Sequence, residues 1–303
     1  DLGVPMVGTT LLYKKGYFTQ TFAPEGWQQE QEAVWEPNQF MQLLPNEVSV
    51  EIEGRNVKIR AWVHDLIGQG GYPLPIYFLD TDCEGNSTED RHFTWYLYGG
   101  DQRYRLIQEL ILGVGGLRML RDLGYDNART YHLNEGHAGF LTLEMLREMG
   151  YDDFDKVREN VIFTTHTPVA AGHDHFPYDL VDRVMSPVFG STLRRMLGPN
   201  GVSMTELGIR YSRYVNAVSV KHAEVSRRMF NSSKVDAVTN GVHSTTWTCP
   251  GMARLFDRHI PGWRNDPTRL TQALLLPDEA VWKAHQAAKM KLLAKVLEDT
   301  GQE

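Results

Sequence analysis

The sequence predicts an α/β fold in which helices cover both faces of a parallel β-sheet. From residue 129 onwards, short aliphatic runs alternate with polar loops and with segments of helical periodicity. This alternation is typical of parallel sheets, because each parallel strand needs a long crossover connection. The 303 residues, 42% of them hydrophobic, are enough for a sizeable core. The length fits two ordinary domains, or one α/β domain with insertions.

Residues 1–128 mix strand and helix patterns. Residues 48–53 and 57–63 alternate apolar and polar side chains across a turn at 54–56, so we predict a β-hairpin. Residues 75–82 are predicted to form a short buried strand that leads into an acidic loop. The loop starts like a calcium site, but Arg91 stands where the twelfth-position glutamate is needed. We therefore predict a solvated loop there.

Residues 105–121 have the periodicity of a buried helix. Apolar side chains recur on one face at Leu106, Leu110, Val114 and Leu117. Glycines at 113, 115 and 116 weaken a helix interior, which indicates that another element packs closely against them. They are not a phosphate loop, because that motif lies between a strand and a helix N-terminus.

Residues 129–303 repeat a strand, a polar loop and a helix. We predict strands at 129–133, 160–164, 216–220 and 235–239, and helices at 138–149, from about 221, and at 278–298. The last helix ends before Gly301, as helices often do.

Composition excludes several classes of protein. The net charge of −7 argues against a nucleic-acid-binding surface, which needs clustered Lys and Arg. Two cysteines far apart in the sequence indicate reduced thiols, so we expect a cytoplasmic protein. No stretch reaches the roughly 18 apolar residues of a membrane span, so we expect no membrane partner.

The polar segments that follow the predicted strands are the candidate site, because ligands of open parallel sheets bind beyond the carboxyl ends of the strands. These segments contain Asn134, Glu135 and His137, then Thr165, His166 and Thr167, then His222 and Glu224, and finally Asn240 and His243. Five of the eleven histidines lie between residues 132 and 175. This clustering favours a functional site.

Three interpretations of the histidine cluster compete. A metal site lacks the spacing of known zinc motifs, and we predict no metal. Structural or surface roles are favoured for His132, His173 and His175. His166 differs because it directly follows an apolar strand and lies between two threonines, and because Pro168 disfavours a helical conformation of Thr167. We expect His166 to point into the crevice.

Five ordered motifs resemble the α-glucan phosphorylases of the bacterial type: LYGGDQRYRLIQE, YHLNEGHAGF, FTTHTPVAAGHDHFP, YVNAVSVKHAEVSRRM and VTNGVHSTTW. The opening DLGVPMVGTTLLYKKGYFTQ continues the match, so the resemblance covers essentially the whole chain. It implies a GT-B enzyme with two Rossmann-like lobes. The implied reaction is the reversible, retaining phosphorolysis of α-1,4-glucans by inorganic phosphate to glucose 1-phosphate.

The resemblance also implies roles for individual residues. His166 is similar to the family's catalytic-site histidine, which contacts the glucosyl unit at the cleaved bond and whose backbone carbonyl is placed to stabilise positive charge that develops on the sugar. Glu135 occupies the position of a family aspartate and His137 that of a family histidine, and both are similar to residues that shape the glucosyl pocket. Asn134 and Thr167, which also follow the predicted strands, are further predicted substrate-binding residues. Asp101 aligns with the acidic tip of a gating loop, which is shorter in this sequence.

The resemblance implies that residues 1–303 are the N-terminal lobe, with a mixed part at 1–128 and a strand-loop-helix part at 129–303. The glycine-rich phosphate loop is expected before residue 1, and the C-terminal lobe after residue 303. That second lobe carries the lysine for the pyridoxal phosphate cofactor, so we expect no cofactor-binding residue here and no activity of this chain alone. A homo-oligomer is a further expectation. Alternatives are a retaining glycosyltransferase that uses a nucleotide sugar and a non-catalytic carbohydrate-binding lobe.

Overall fold

A computed structural model describes residues 2–97 and 99–301 and divides them into two compact units. The larger unit comprises residues 6–66 and 74–239, and the smaller unit comprises residues 2–5, 67–73 and 240–301. The strands are β1 (Gly8–Leu11), β2 (Phe18–Phe22), β3 (Gln28–Glu32), β4 (Gln42–Ile52), β5 (Arg55–Ile67), β6 (Pro73–Asp80), β7 (Tyr131–Asn134), β8 (Val161–Thr165), β9 (His175–Phe176), β10 (Val202–Ser203), β11 (Tyr214–Ala217) and β12 (Val235–Ala237).

The α-helices follow in the same way. They are α1 (Gln102–Leu110), α2 (Gly116–Asp122), α3 (Leu141–Glu148), α4 (Phe154–Asn160), α5 (Tyr178–Val184), α6 (Pro187–Leu197), α7 (Met204–Arg210), α8 (Val220–Met229), α9 (Ser244–Trp247), α10 (Pro250–His259) and α11 (Asp278–Thr300). A π-helical turn, Ile111–Gly115, joins α1 to α2.

A mixed sheet with the strand order β1-β6-β5-β4 forms one half of the larger unit. β4 and β5 pair antiparallel across a tight turn at Glu53 and Gly54, so the predicted strand pair is present, with its turn one residue earlier. Both turn residues have positive φ, 51° and 74°. A two-residue turn of this kind matches the right-handed twist of the strands that it connects. β1 pairs parallel with β6.

The second four-stranded sheet is entirely parallel and has the order β12-β11-β8-β7. α4 and α7 pack against β8, and α8 packs against β11 and β12. This confirms the predicted parallel sheet with packed helices. The predicted strand at 216–220 was wrong in its bounds: β11 ends at Ala217, because the side chain of Ser219 accepts the backbone N–H of His222 and starts α8.

The predicted helix at 105–121 is confirmed as the continuous segment of α1, the π-turn and α2. Its glycines admit close neighbours. A Cβ on Gly113 would lie 2.7 Å from the backbone nitrogen of Leu141, and one on Gly115 would lie 2.5 Å from Cδ1 of Ile59. Gly113 and Gly115 are therefore explained by packing against α3 and β5, as the sequence indicated, whereas a Cβ on Gly116 would make only an ordinary contact, 3.6 Å from Cδ1 of Leu79.

The prediction of a solvated acidic loop from Asp80 onwards is wrong at its start, because Asp80 is the last residue of β6. Asp80 is fully buried, and its carboxylate accepts hydrogen bonds from Arg60 and from the indole of Trp62, each at 3.0 Å. Asp82 is paired with Lys14 at 3.1 Å and with Arg91. Two of these donors, Arg60 and Trp62, belong to strand β5. The sequence of the loop alone therefore could not reveal these contacts.

The smaller unit has its own apolar cluster around Trp263 and Ile260, to which α10 and α11 contribute. α11 confirms the predicted last helix and runs two residues further, to Thr300, before Gly301 adopts the left-handed conformation. Among residues 2–97 and 99–301, no helix is both long and apolar enough to cross a membrane.

Candidate active site

The carboxyl ends of β7 and β8 lie side by side in the parallel sheet. Asn134, the last residue of β7, is opposite Thr164 of β8, and the backbone N–H of Glu135 donates to the carbonyl of Thr164 at 2.8 Å. The chain then turns sharply at Glu135, which has a φ of 66°. Few residues other than glycine adopt this conformation, so contacts of Glu135 must stabilise it.

The contacts of the Glu135 carboxylate supply that stabilisation. One oxygen, Oε2, accepts the backbone N–H of His166 at 2.7 Å, that of Thr167 at 3.0 Å and the hydroxyl of Thr165 at 3.3 Å. The side chain is buried. Glu135 thus joins the turn after β7 to the turn after β8.

The same bonds fix which way the peptide groups of the second turn point. In a trans peptide the carbonyl points opposite to the N–H. Because the N–H groups of His166 and Thr167 face Glu135, the carbonyl oxygens of Thr165 and His166 point away from it. The His166 side chain is exposed at this turn. The edge of the sheet therefore presents carbonyl oxygens and an imidazole together.

His173 holds the loop that follows the turn. Its Nε2 donates to the carbonyl of Thr167 at 3.0 Å, so Nδ1 is the acceptor for the hydroxyl of Thr205 at 2.8 Å. The ring also packs edge-on against Phe230. These contacts agree with the structural interpretation of His173.

His132 belongs to a hydrogen-bonded row across the sheet. Thr164 donates its hydroxyl proton to Asn216 at 2.9 Å, so it accepts from Nε2 of His132 at 2.7 Å. Burial lowers the pKa of His132, and the neighbouring His166 lowers it further. The lowered pKa favours the neutral form of His132 at this edge of the sheet.

His137 lies one turn beyond Glu135, next to two acidic side chains. Its Nδ1 is 3.5 Å from Oε1 of Glu109 on α1 and 3.8 Å from Oδ2 of Asp174. Asp174 is paired with Arg105 at 2.5 Å. Burial and the nearby Asp174 carboxylate raise the pKa of Glu109 well above its usual value. Glu109 therefore keeps its proton to a higher pH than an ordinary glutamate does.

The Glu109, His137 and Asp174 ligand atoms lie within 4.8 Å of one another, as a metal site requires. Two features oppose a metal here. Arg105 already neutralises Asp174, and Glu109 loses its proton less readily than an ordinary glutamate because its pKa is raised. Both features make the cluster less favourable for a bound cation.

The other residues predicted for the site are not joined to this edge. Asp101 is the N-cap of α1, where its carboxylate accepts the backbone N–H of Tyr104 at 2.9 Å. His222 is buried in the first turn of α8, and Glu224 pairs with Lys221 at the surface. Asn240 and His243 lie in the smaller unit.

The pyridoxal phosphate that the resemblance implies would need a lysine to form its Schiff base. A Schiff-base lysine is normally desolvated, whereas every lysine in the described part of the chain is exposed or half-buried. These side chains do not fit a site for that cofactor.

Sequence reasoning missed Glu109, Asp174 and Arg105. Glu109 interrupts the apolar face of a helix that was predicted to be buried, and Asp174 stands between two histidines. A carboxylate in a buried helix needs a polar or charged partner, so the position of Glu109 was a sign of such a pair in the sequence. The partner itself comes from a segment 65 residues away, which local patterns do not reveal.

The chain is similar to several known proteins, among them three phosphorylases. Maltodextrin phosphorylase of Thermococcus litoralis is 36% identical over 97% of this chain, glycogen phosphorylase of Mycobacterium tuberculosis is 37% identical over 84%, and glycogen phosphorylase of Aquifex aeolicus is 30% identical over 98%. The chain spans only 38%, 34% and 47% of the length of these relatives, respectively. No protein-family model matches the chain.

Proposed function

The chain is homologous over most of its length to the maltodextrin and glycogen phosphorylases, and we propose that it forms the glucan-binding side of such an active site. The reaction proposed is reversible, retaining phosphorolysis of α-1,4-glucans by inorganic phosphate, with glucose 1-phosphate as the product. The resemblance of the five motifs and the polar edge of the parallel sheet both support this proposal.

The observation that carries the proposal is the bond between Glu135 and the turn at His166. Cleavage of a glycosidic bond with retention develops positive charge on the sugar ring. Carbonyl oxygens held in a fixed direction stabilise such charge without reorganising during the reaction. The carbonyls of Thr165 and His166 have this fixed direction, because Glu135 holds their peptide groups.

We assign roles to the site residues on this basis. His166 is the proposed catalytic residue, which contacts the glucosyl unit at the cleaved bond. Asn134, His137 and Thr167 hydrogen-bond to sugar hydroxyls. Glu135 acts by holding the turn through Oε2, which accepts all three of its hydrogen bonds, while Oε1 is buried without a hydrogen-bond donor among the described residues.

Asp101 is a further proposed glucan-binding residue, because it aligns with the acidic tip of the gating loop in the similar phosphorylases. Its carboxylate caps α1, so a role in glucan binding requires its remaining acceptor capacity and not a free side chain.

The finer architecture belongs to the same proposal. Residues 1–303 are the N-terminal lobe of a GT-B enzyme, built from a mixed part at 1–128 that includes the hairpin and a strand-loop-helix part at 129–303. A C-terminal lobe supplies pyridoxal phosphate and the cations that bind phosphate, since the lysines described here do not fit the cofactor. We propose a cytoplasmic enzyme that assembles as a homo-oligomer.

The test is an assay of the 303-residue chain with maltoheptaose and phosphate. We expect no glucose 1-phosphate, because the phosphate-binding groups belong to the second lobe. Addition of the C-terminal lobe of a related phosphorylase, with its cofactor, is expected to restore measurable product. Substantial turnover by the chain alone, or glucosyl transfer from a nucleotide sugar in place of phosphorolysis, would contradict the proposal.

A further inference from the structure

A buried pair of carboxyl groups lies directly behind His137. The Glu109 side chain is 5% exposed and that of Asp174 is 9% exposed, whereas the imidazole of His137 is 44% exposed. The Nδ1 atom of His137 faces the acids at 3.5 and 3.8 Å. The other ring nitrogen, Nε2, is separated from Nδ1 by one carbon, so the acids leave it available to a ligand.

The hydrogen-bonding capacity of these groups determines where the protons are. Two ionised carboxylates only accept hydrogen bonds, and both oxygens of Glu109 are without a hydrogen-bond donor among the described residues. Arg105 neutralises Asp174 alone. A proton on Glu109 resolves this arrangement, since Glu109 then donates to the Asp174 carboxylate and keeps a carbonyl oxygen as an acceptor.

We propose that Glu109 is a positioning residue that holds His137 in its Nδ1–H tautomer. The neutral acid donates to Asp174, and its other oxygen accepts the Nδ1 proton of His137. Nε2 of His137 is then an acceptor, which fits the hydroxyl group of a neutral sugar. This last step rests on the proposed function; the tautomer does not.

Glutamine is the informative replacement for Glu109. Its amide has the shape of a protonated carboxyl group, with an N–H that donates to Asp174 and an oxygen that accepts from His137. Glu109→Gln is therefore expected to keep the tautomer. Glu109→Leu has a similar volume but no polar atom, so it removes the acceptor and frees His137 to adopt the Nε2–H form.

The experiment is a long-range ¹H–¹⁵N correlation spectrum of the chain with ¹⁵N-labelled histidine, without glucan, at about pH 8, where histidines are neutral. The His137 signals are identified by their loss in His137→Asn. Wild type and Glu109→Gln should show the Nδ1–H pattern, and Glu109→Leu should show the Nε2–H pattern. Glu148→Gln, which alters a surface pair with Arg121, is the matched control and should leave His137 unchanged.

An Nε2–H pattern in the wild type would overturn the inference, even if Glu109→Leu failed to fold. Loss of the Nδ1–H form in Glu109→Gln would do the same, because it would show that an ionised Glu109 is needed. Zn²⁺ added alone is expected not to shift the His137 signals; a saturable shift that Glu109→Gln abolishes would instead indicate a metal site.

Maltoheptaose titration of the same variants separates the inference from the proposed function. We expect about a tenfold weaker affinity for Glu109→Leu and near-wild-type affinity for Glu109→Gln. If the tautomers behave as stated but no variant, including the wild type, binds glucan, the positioning contact stands and the proposed function fails.

Discussion

The Glu135 carboxylate accepts the backbone N–H of His166 at 2.7 Å, and this contact joins the ends of two neighbouring parallel strands. The same oxygen accepts the N–H of Thr167. A buried carboxylate that bonds backbone groups stabilises a particular loop conformation more strongly than neutral acceptors do. The backbone at His166 and Thr167 is thus fixed by Glu135, while the side chain of His166 is exposed.

Replacement of Glu135 tests how much this contact contributes. Glu135→Ala removes three hydrogen bonds to a buried carboxylate and leaves the φ of 66° on a residue without compensating contacts. We expect a loss of about 2–4 kcal/mol in the free energy of unfolding. Urea denaturation measures this value. Glu206→Ala, which removes a surface ion pair with Arg210, is the control and should cost less than about 1 kcal/mol. Equal losses of unfolding free energy in the two variants would contradict a stabilising role of the Glu135 hydrogen bonds.

His166 and His173 should respond to alanine in opposite ways. His173 makes two buried hydrogen bonds, so His173→Ala is expected to lower the free energy of unfolding by about 1–3 kcal/mol. His166→Ala should change it by less than about 0.5 kcal/mol, because the side chain is exposed. Thermal unfolding of both variants distinguishes them. A larger loss of stability in His166→Ala than in His173→Ala would mean that the roles are assigned wrongly.

Two glycines in one helical segment provide a matched packing test. Alanine at 113 would press its Cβ to 2.7 Å from the backbone nitrogen of Leu141, and we expect about 1–3 kcal/mol of destabilisation. At 116 the Cβ would lie 3.6 Å from Leu79, an ordinary contact. Gly116→Ala should therefore be neutral or stabilising by up to about 1 kcal/mol through helix propensity. The comparison fails if the two alanines have the same effect on the melting temperature.

The pKa of Glu144 should affect how the stability of the protein changes at acidic pH. Burial raises its pKa, but hydrogen bonds from Arg118 and Arg147 outweigh burial and leave the pKa below the ordinary value of 4.5. In this case the unfolded state binds more protons than the folded state, so Glu144 stabilises the protein above the ordinary pKa. This contribution is lost as pH falls through the lowered folded-state pKa.

Glu144→Gln should therefore lose stability at neutral pH and show a shallower decline below about pH 4.5 than the wild type. Denaturation curves collected from neutral pH to about pH 3 measure the two slopes. Parallel slopes would show that Glu144 titrates normally in the folded protein.

Much of the scaffold could be predicted from local patterns. The alternation at 48–63 gave the β4–β5 pair, and the glycines in a helical pattern correctly indicated close packing against α3 and β5. The end of β11 was misplaced because Val218 and Val220 continue an apolar pattern that the Ser219 cap interrupts. Propensity alone does not decide between a last strand residue and a helix cap.

The site could be predicted only in part. His166 and Glu135 follow strands, so their position at the edge followed from the parallel topology. The bond between them and the pairing of Glu109 with Asp174 depend on contacts between distant segments. Asp101 could be assigned only by resemblance, and in the structure it is bonded as a helix cap.

The most direct test of the central claim is isothermal titration calorimetry of maltoheptaose into the 303-residue chain and into His166→Ala. The account predicts saturable binding to the wild type with a Kd of about 1 mM or lower, and about five- to tenfold weaker binding to His166→Ala at unchanged stability. Absence of binding to the folded wild-type chain, or identical affinities in the two proteins, would contradict the assignment of this edge as a glucan site.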